Sequence, residues 1–146
     1  MDKASISFLL LLGQILSAVD LSATFAHQES EVARAINAKD RAVLKRLTAH
    51  DFHDSMSYGS ALHNVATNIE RDAWVALMTS RDVVRCEIDS FRPRSVGPGA
   101  FYVEVKGALT LRSPESIYTR RRFESIDMWI WRSNTWKLVS RVSHVM

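Results

Sequence analysis

The pattern of hydrophobic and polar positions is clearest near the end of the chain, where it predicts a pair of strands. Between Ser125 and His144, aromatic and β-branched residues flank Ser133 and Asn134. Asn tolerates the positive φ that a two-residue hairpin turn requires. We therefore predict a β-hairpin whose turn is formed by Ser133 and Asn134.

Strict pairing across that turn assigns each hairpin residue to a face of the sheet. The expected pairs are Trp131 with Trp136, Trp129 with Leu138, Asp127 with Ser140, Ser125 with Val142, and Phe123 with His144. The face that carries them is aromatic with isolated polar groups, which is typical of a small-molecule pocket. The other face is apolar at its centre and would suit a contact between two sheets. An error of one residue in the register would exchange these roles.

Upstream, apolar residues recur at helical spacing. Val32, Ala35 and Ile36 predict a helix over residues 29–38, and Asp40 offers a carboxylate to cap a second helix. Residues 52–58 then have the character of a strand.

A Thr-x-x-Glu capping box at Thr67 and Glu70 predicts another helix, with Trp74 and Met78 on its apolar stripe. Further strand regions follow over residues 83–91, 100–111 and from 118 onward. Helices followed by mostly antiparallel strands indicate an α+β fold, with the helices on one face of a curved sheet.

The closing hairpin also resembles that of a known family. Its form, Trp-hydrophobic-x-x-x-x-x-Trp-Lys-Leu-Val over residues 129–139, is similar to the SnoaL-like (DUF4440) branch of the NTF2-like superfamily. The resemblance extends from Glu31 to His144 and implies a cone in which N-terminal helices pack on a strongly curved sheet. The superfamily includes isomerases, dehydratases, cyclases, hydrolases and many members without demonstrated chemistry, and its members often dimerise through the outer sheet face. The resemblance therefore indicates a fold rather than a reaction.

The first 26 residues differ in character from the rest of the chain. Lys3 is followed by an apolar run from Ile6 to Leu16, and small residues lead to Ala26, which is the layout of a secretory signal peptide. The run is shorter than the roughly 20 residues of a membrane-spanning helix, so no stable membrane anchor is expected. We expect residues 1–26 to be a signal peptide, 27–146 to be the domain, and the protein to be secreted or periplasmic. The alternative is an extra amphipathic helix packed on the domain.

Length and composition fit a single domain of 146 residues, of which 47% are hydrophobic. The formal net charge is +3, but the basic run 120–122 falls on a predicted strand. Its side chains would alternate between faces and form no single patch, so no nucleic-acid partner is expected. Cys86 is the only cysteine, which excludes an intramolecular disulfide and favours a small core residue.

Asp54 on the first strand is one candidate for chemistry. It shares a face with Phe52, Met56 and Tyr58, so an inward Phe52 would bring Asp54 and the Tyr58 hydroxyl inward as well. An Asp base with a Tyr donor is a proton-transfer pair, and ketosteroid-isomerase-like members of the superfamily hold their catalytic aspartate on this strand. Met56 stands where the resembled pattern has a histidine. In the alternative interpretation this strand lies at an open edge, with His53 and Asp54 in water.

Asp127 is the second candidate. A carboxyl within an aromatic lining has its charged form disfavoured, which raises its pKa and prepares it for proton transfer. The alternative is an acid at the rim of the cone paired with an arginine. The residues expected to line the pocket are Phe52, Met56, Trp74, Phe123, Trp129, Trp131, Ser140, Val142 and His144.

No cofactor is expected, and the sequence contains no glycine-rich phosphate loop, no CxxC pair and no Gly-x-Ser-x-Gly nucleophile elbow. No metal is expected either, since His50 and His53 would point to opposite faces of a strand. The sequence thus predicts an exported, homodimeric cone that binds a small, largely apolar molecule. If it is an enzyme, we expect a cofactor-free isomerase or lyase with Asp54 or Asp127 as base and Tyr58 as donor. The alternative is a non-catalytic binding or homodimeric assembly module whose cone is filled by its own side chains.

Overall fold

The computed structural model describes residues 22–59 and 65–146, in which three helices pack on one sheet of six strands. The described part of helix α1 covers residues 22–38. The other elements are α2 (Arg41–Leu47), β1 (Thr48–Tyr58), β2 (Val65–Glu70), α3 (Arg71–Met78), β3 (Val83–Gly97), β4 (Ala100–Arg112), β5 (Tyr118–Arg132) and β6 (Thr135–Val145). The strand order is β2-β1-β6-β5-β4-β3, and only β1 and β6 pair in parallel. The predicted α+β class is confirmed.

The expected signal peptide lies largely outside the described residues, as does the loop at 60–64. Within the described range, α1 continues through the expected boundary after Ala26. Phe25 is fully buried, with its ring centroid 4.8 Å from that of Phe101 and 4.9 Å from that of Trp136. None of the helices in the described ranges has the length and apolar character needed to span a bilayer.

The junction between the first two helices forms as the sequence predicts. The Asp40 carboxylate accepts a hydrogen bond from the Val43 backbone N–H at 3.0 Å, which caps the start of α2. At the end of α1, the Asn37 side-chain amide both donates to the Cys86 carbonyl (2.9 Å) and accepts from the Cys86 N–H (2.7 Å). The Asn37 side chain therefore connects α1 to β3 through the same pair of backbone hydrogen bonds that a neighbouring strand would make.

The predicted capping box is wrong. Thr67 lies within β2 and pairs with Met56 of β1, and α3 begins only at Arg71. The Glu70 side chain makes no cap hydrogen bond. Because β2 and β6 pair with β1 on its two sides, the interpretation of β1 as an open edge strand is wrong too.

The predicted hairpin turn is confirmed, since Ser133 and Asn134 have φ values of 50° and 60°. The first expected pairs, Trp131 with Trp136 and Trp129 with Leu138, are present.

Beyond these pairs the expected register is wrong. Met128 pairs with Ser140, which leaves Val139 as the additional residue of a β-bulge in β6. The observed pairs that follow are Asp127 with Arg141, Ser125 with Ser143, and Phe123 with Val145. The expected partners, Ser140, Val142 and His144, therefore lie on the outer face, where Val142 is 57% exposed. A bulge exchanges the two faces of a strand, and simple alternation cannot reveal it.

Candidate functional site

Arg141 is the centre of a polar cluster in the interior of the cone, inside the apolar core. Its Nε donates to Asp127 Oδ1 at 2.8 Å, and its Nη2 donates to Asp127 Oδ2. The guanidinium carbon also lies 5.3 Å from the ring centroid of Trp74, a cation–π distance. Asp127 does pair with an arginine, as one interpretation expected, but in the interior rather than at the rim. Each of its two carboxylate oxygens accepts a hydrogen bond from Arg141, so Asp127 holds the guanidinium in place.

Glu29 on α1 is a second acid of the cluster and was not among the candidates from the sequence. It is 1% exposed, its Oε1 accepts a hydrogen bond from Trp129 Nε1 at 2.7 Å, and its Oε2 lies 3.8 Å from Arg141 Nη2. Burial, and then the negative charge of Asp127, raise the pKa of Glu29 well above its usual value. A signal was present in the sequence, because Glu29 precedes Val32 by three residues and so lies on the apolar stripe of the helix.

Asp54 on β1 is the third acid and is completely buried. Its Oδ1 accepts a hydrogen bond from Ser143 Oγ at 2.9 Å. Burial raises the pKa of Asp54, although the positive charge of Arg141, the Ser143 hydrogen bond and the nearby indole N–H of Trp74 act against that rise. The carboxyl therefore exchanges its proton nearer to neutral pH than an exposed aspartate does.

Several polar atoms of this interior have no hydrogen-bond partner among the described residues. They are Glu29 Oε2, Asp54 Oδ2, Trp74 Nε1 and Ser125 Oγ. Buried polar atoms are nearly always paired in folded proteins, and exceptions concentrate at functional sites. Three carboxyl groups here face one guanidinium, so full ionisation would leave uncompensated negative charge in the interior.

A cavity of about 20 Å³ lies beside Asp54. It has room for roughly one water molecule. Its polar lining consists of Asp54, Arg141 and Ser143, and most of the rest of its wall is apolar, including Met56 and Met78. Unbranched methionine side chains change conformation readily, so this wall is adaptable.

Cys86 also lines the cavity and is buried, as expected of a small core residue. Burial raises the pKa of its thiol to about 11, so it is not a thiolate nucleophile at neutral pH. Within the described ranges, no three His, Cys, Asp and Glu side chains are grouped so that they could hold a metal ion.

A wider depression of about 680 Å³ opens on the surface next to this cavity. It is lined by Tyr58, Gly59, Leu111, Arg121, His144, Val145 and Met146, and we call it the mouth. Val145 lines both the mouth and the inner cavity. Val145 therefore forms part of the wall between the two spaces.

Tyr58 lies at the mouth and makes no hydrogen bond to Asp54. The two residues are four positions apart on β1, which corresponds to about 13 Å along a strand. Burial, and then the negative charge of Asp54, raise the pKa of the Tyr58 hydroxyl. A direct Asp54–Tyr58 pair is not assembled in this structure.

The other expected pocket residues divide between the interior and the surface. Those buried in the interior are Phe52, Met56, Trp74, Phe123 and Trp129. Trp131 is 49% exposed at the hairpin end, where its ring packs against Trp136 at 5.3 Å between centroids. The outer-face residues Ser140, Val142 and His144 do not contact the cavity, and His144 Nδ1 instead lies 2.8 Å from Ser57 Oγ.

No protein-family model matches the chain, and no curated protein matches its sequence. Solved structures do match. An NTF2-like protein from Cytophaga hutchinsonii aligns over 86% of this chain and 98% of its own, at 13% identity and a TM-score of 0.71. An NTF2-like protein of unknown function in nutrient uptake from Rhodospirillum rubrum aligns over 83% and 97%, at 15% identity and a TM-score of 0.69. LinA aligns over 90% and 89%, at 12% identity and a TM-score of 0.69. At such identities the likeness shows the fold alone.

Proposed function

We propose that this chain, which has the NTF2-like fold, binds a small, largely apolar molecule in its cone and acts on it by cofactor-free proton transfer, as an isomerase or lyase. The observation that carries the proposal is the unpartnered Oδ2 of Asp54 at the wall of a largely apolar cavity. Burial raises the pKa of that carboxyl, which suits it to take up and release a proton. In an isomerisation, Asp54 removes a proton from one carbon of the substrate and returns it to another. No further reactant is consumed.

Arg141 supplies the complementary electrophilic group. Its Nε and Nη2 are held by Asp127, whereas its Nη1 donates no hydrogen bond within the described part of the chain. A fixed, buried N–H donor stabilises negative charge that develops on a substrate oxygen. Glu29 and Asp127 act on the reaction through Arg141, because they position its guanidinium.

Ligand binding requires the interior to expand. The cavity beside Asp54 holds about one water molecule, so a substrate must displace part of the wall. Met56 and Met78 are the flexible side chains of that wall. We expect binding to be accompanied by rotamer changes in these two residues.

The test begins with a thermal-shift screen of the protein against small hydrophobic carbonyl and hydroxy compounds. A ligand held at about 100 times its Kd adds roughly 2.7 kcal/mol of stability, which a melting curve resolves. Compounds that bind are then assayed for turnover with the Asp54→Asn variant. The matched control is Asp51→Asn, since Asp51 is exposed on the same strand and pairs with Arg132 at 3.0 Å.

We expect Asp54→Asn to lower kcat by about 10²-fold or more, with substrate binding retained. Asp51→Asn should leave kcat unchanged. Turnover that survives in Asp54→Asn at the wild-type rate would remove Asp54 from the mechanism.

A second candidate function is a non-catalytic, homodimeric assembly module with a filled cone. The small size of the inner cavity favours it, and so does an apolar pair on the outer face of the sheet. Ile126 and Val142 are cross-strand neighbours and are 50% and 57% exposed. Contiguous exposed apolar side chains on a sheet face can mark a protein–protein contact, and Ile126 and Val142 are the beginning of such a patch.

Sedimentation velocity tests this dimer. We expect the wild-type protein to sediment as a dimer and Ile126→Glu as a monomer. Ile117→Glu is the control, because Ile117 is 61% exposed but lies in the turn between β4 and β5. A monomeric wild-type protein would exclude this interface.

A further inference from the structure

We propose that the mouth of the cone selects ligands that carry a terminal carboxylate and that Arg121 is the residue that binds it. The inference rests on the proposed function, because it names the class of molecule that enters the cone. The ligand is an amphipathic monocarboxylic acid whose apolar body points inward.

The position of Arg121 on β5 directs it to the mouth. Arg121 pairs with Leu109, which is buried on the inner face of β4. Successive side chains of a strand point to opposite faces, so Arg120 and Arg122 point outward. Arg120 accordingly lies 3.5 Å from Glu87. Of the basic run 120–122, only Arg121 therefore faces the inner side of the sheet.

Arg121 is available to a ligand. It forms no ion pair or hydrogen bond with another side chain in the described ranges. None of the side chains of the described residues that line the mouth is acidic. Guanidinium groups bind carboxylates through two parallel N–H donors, which gives both affinity and orientation.

The charge of one guanidinium matches a monoanion. Arg121 is the only Lys or Arg among the described residues lining the mouth. A doubly charged phosphate monoester would keep one negative charge uncompensated, whereas a carboxylate would keep none. The single cation therefore favours a carboxylic acid.

The apolar surface of the mouth fixes the direction in which the ligand enters. Leu111, Val145 and Met146 provide aliphatic contacts that lead from Arg121 toward the inner cavity. Deeper in the cone, three carboxyl groups already face the single guanidinium of Arg141. The carboxylate of a ligand is therefore disfavoured there. The carboxylate consequently remains at the mouth.

The experiment compares octanoate with octan-1-ol by isothermal titration calorimetry at neutral pH and low ionic strength. The two probes share their apolar body and differ in the charged end. The proteins are the wild type, Arg121→Gln, Arg121→Lys and the matched control Arg122→Gln, which removes the same charge from the outward-facing neighbour.

We expect the wild type to bind octanoate roughly ten-fold more tightly than octan-1-ol, as a charged hydrogen bond predicts. Arg121→Gln should abolish this preference by weakening octanoate binding alone, and Arg121→Lys should keep part of it. Arg122→Gln should retain the full preference. Equal affinity of the wild type for both probes, binding of neither, or an equal loss in Arg122→Gln would overturn the inference.

Failure of this inference is distinguishable from failure of the proposed function. Asp54→Asn removes the proton-transferring group but leaves Arg121 in place, so it should keep the octanoate preference. If turnover depends on Asp54 but the protein binds octanoate no more tightly than octan-1-ol, the carboxylate inference alone is wrong. If the protein binds octanoate more tightly than octan-1-ol but turnover does not depend on Asp54, the proposed proton transfer alone is wrong.

Discussion

Arg141 connects three other side chains of the interior, Asp127, Glu29 and Trp74. It forms two hydrogen bonds to Asp127, approaches Glu29 and packs on the ring of Trp74. A buried ion pair contributes little net stability relative to apolar residues, but the removal of one partner leaves an uncompensated charge. The cluster is therefore costly to disrupt, and this makes its members suitable for positioning rather than for free movement.

Replacement of Arg141 by Gln should lower the free energy of unfolding by about 3–5 kcal/mol, because Asp127 would remain buried without its partner. The control is Arg132→Gln, which breaks the surface pair with Asp51. That variant should lose less than about 1 kcal/mol, as exposed ion pairs do. Urea unfolding followed by tryptophan fluorescence measures both, and similar small losses in the two variants would contradict the prediction.

The buried acids also predict how stability depends on pH. Burial raises the pKa of Glu29 and Asp54 in the folded protein above their ordinary values of 4.5 and 3.8. Between the ordinary and the raised values, the folded state binds more protons than the unfolded state does. This contribution to the free energy of unfolding is therefore fully present below the ordinary values and is lost as pH rises through the raised ones.

Glu29→Gln should flatten this decline above pH 4.5, the ordinary pKa of a glutamate, because it removes one of the two titrating groups. Glu31 is the matched control on the same helix, since a hydrogen bond from Arg34 lowers its pKa and its contribution has the opposite sign. As pH rises above 4.5, the urea concentration at the unfolding midpoint should fall as steeply for Glu31→Gln as for the wild type. Parallel curves for Glu29→Gln and the wild type would show that Glu29 does not titrate in this way.

At the scale of elements, the bulge in β6 decides which side chains enter the cone. Without it, Ser140 and Val142 would face inward, and Arg141 and Ser143 would face outward. Two hydrogen-bonded contacts of the interior, Arg141 with Asp127 and Ser143 with Asp54, depend on that one additional residue.

Close packing between strands gives a test at this scale. A Cβ atom at Gly107 would lie 2.8 Å from the ring of Phe123 and closer still to the carbonyl oxygen of Glu87. Gly107→Ala should therefore push β3 and β4 apart, at a cost of about 1–3 kcal/mol. Gly97→Ala is the control, because no atom lies within 4 Å of the added methyl group. Thermal unfolding should distinguish the two, and equal melting temperatures would contradict the packing argument.

At the scale of the whole molecule, α1 closes the interior of the sheet. One helix contributes both Phe25, which packs in an aromatic cluster, and Glu29, which joins the buried acids. The mouth at Tyr58 and Arg121 is formed chiefly by residues from the strands. Strand residues therefore form the opening of the cone, whereas α1 covers its interior.

This arrangement predicts a difference between two chain lengths. Residues 22–146 retain Phe25, whereas residues 27–146, the expected product of signal-peptide cleavage, lack it. The shorter chain should be less stable by about 3–5 kcal/mol, the usual cost of deleting a buried phenylalanine side chain. Phe25→Ala in the longer chain should reproduce most of the loss. Identical unfolding curves for the two chains would show that Phe25 is dispensable and would favour processing after Ala26.

Local patterns accounted for much of the architecture. The Ser133–Asn134 turn, the Asp40 cap and the run of strands after the helices could be predicted because each depends on neighbouring residues. Residues 65–70 could not, since pairing with β1 overrode the capping-box pattern. For the site, Asp54 and Asp127 were identified from the alternation of side chains. Glu29 was missed although it interrupts an apolar helical stripe.

The α+β class, the closing hairpin and the acids on otherwise apolar faces could be predicted from the chain alone, because they follow from periodicity and turn chemistry over short distances. The folded structure was needed to establish that Asp127 pairs with Arg141 and not with Ser140, that Glu29 joins them, and that Asp54 Oδ2 is buried without a hydrogen bond. The physical reason is that a single additional residue in a strand reverses its faces, and that burial and pairing depend on residues about 100 positions apart. Neither effect leaves a local pattern in the chain.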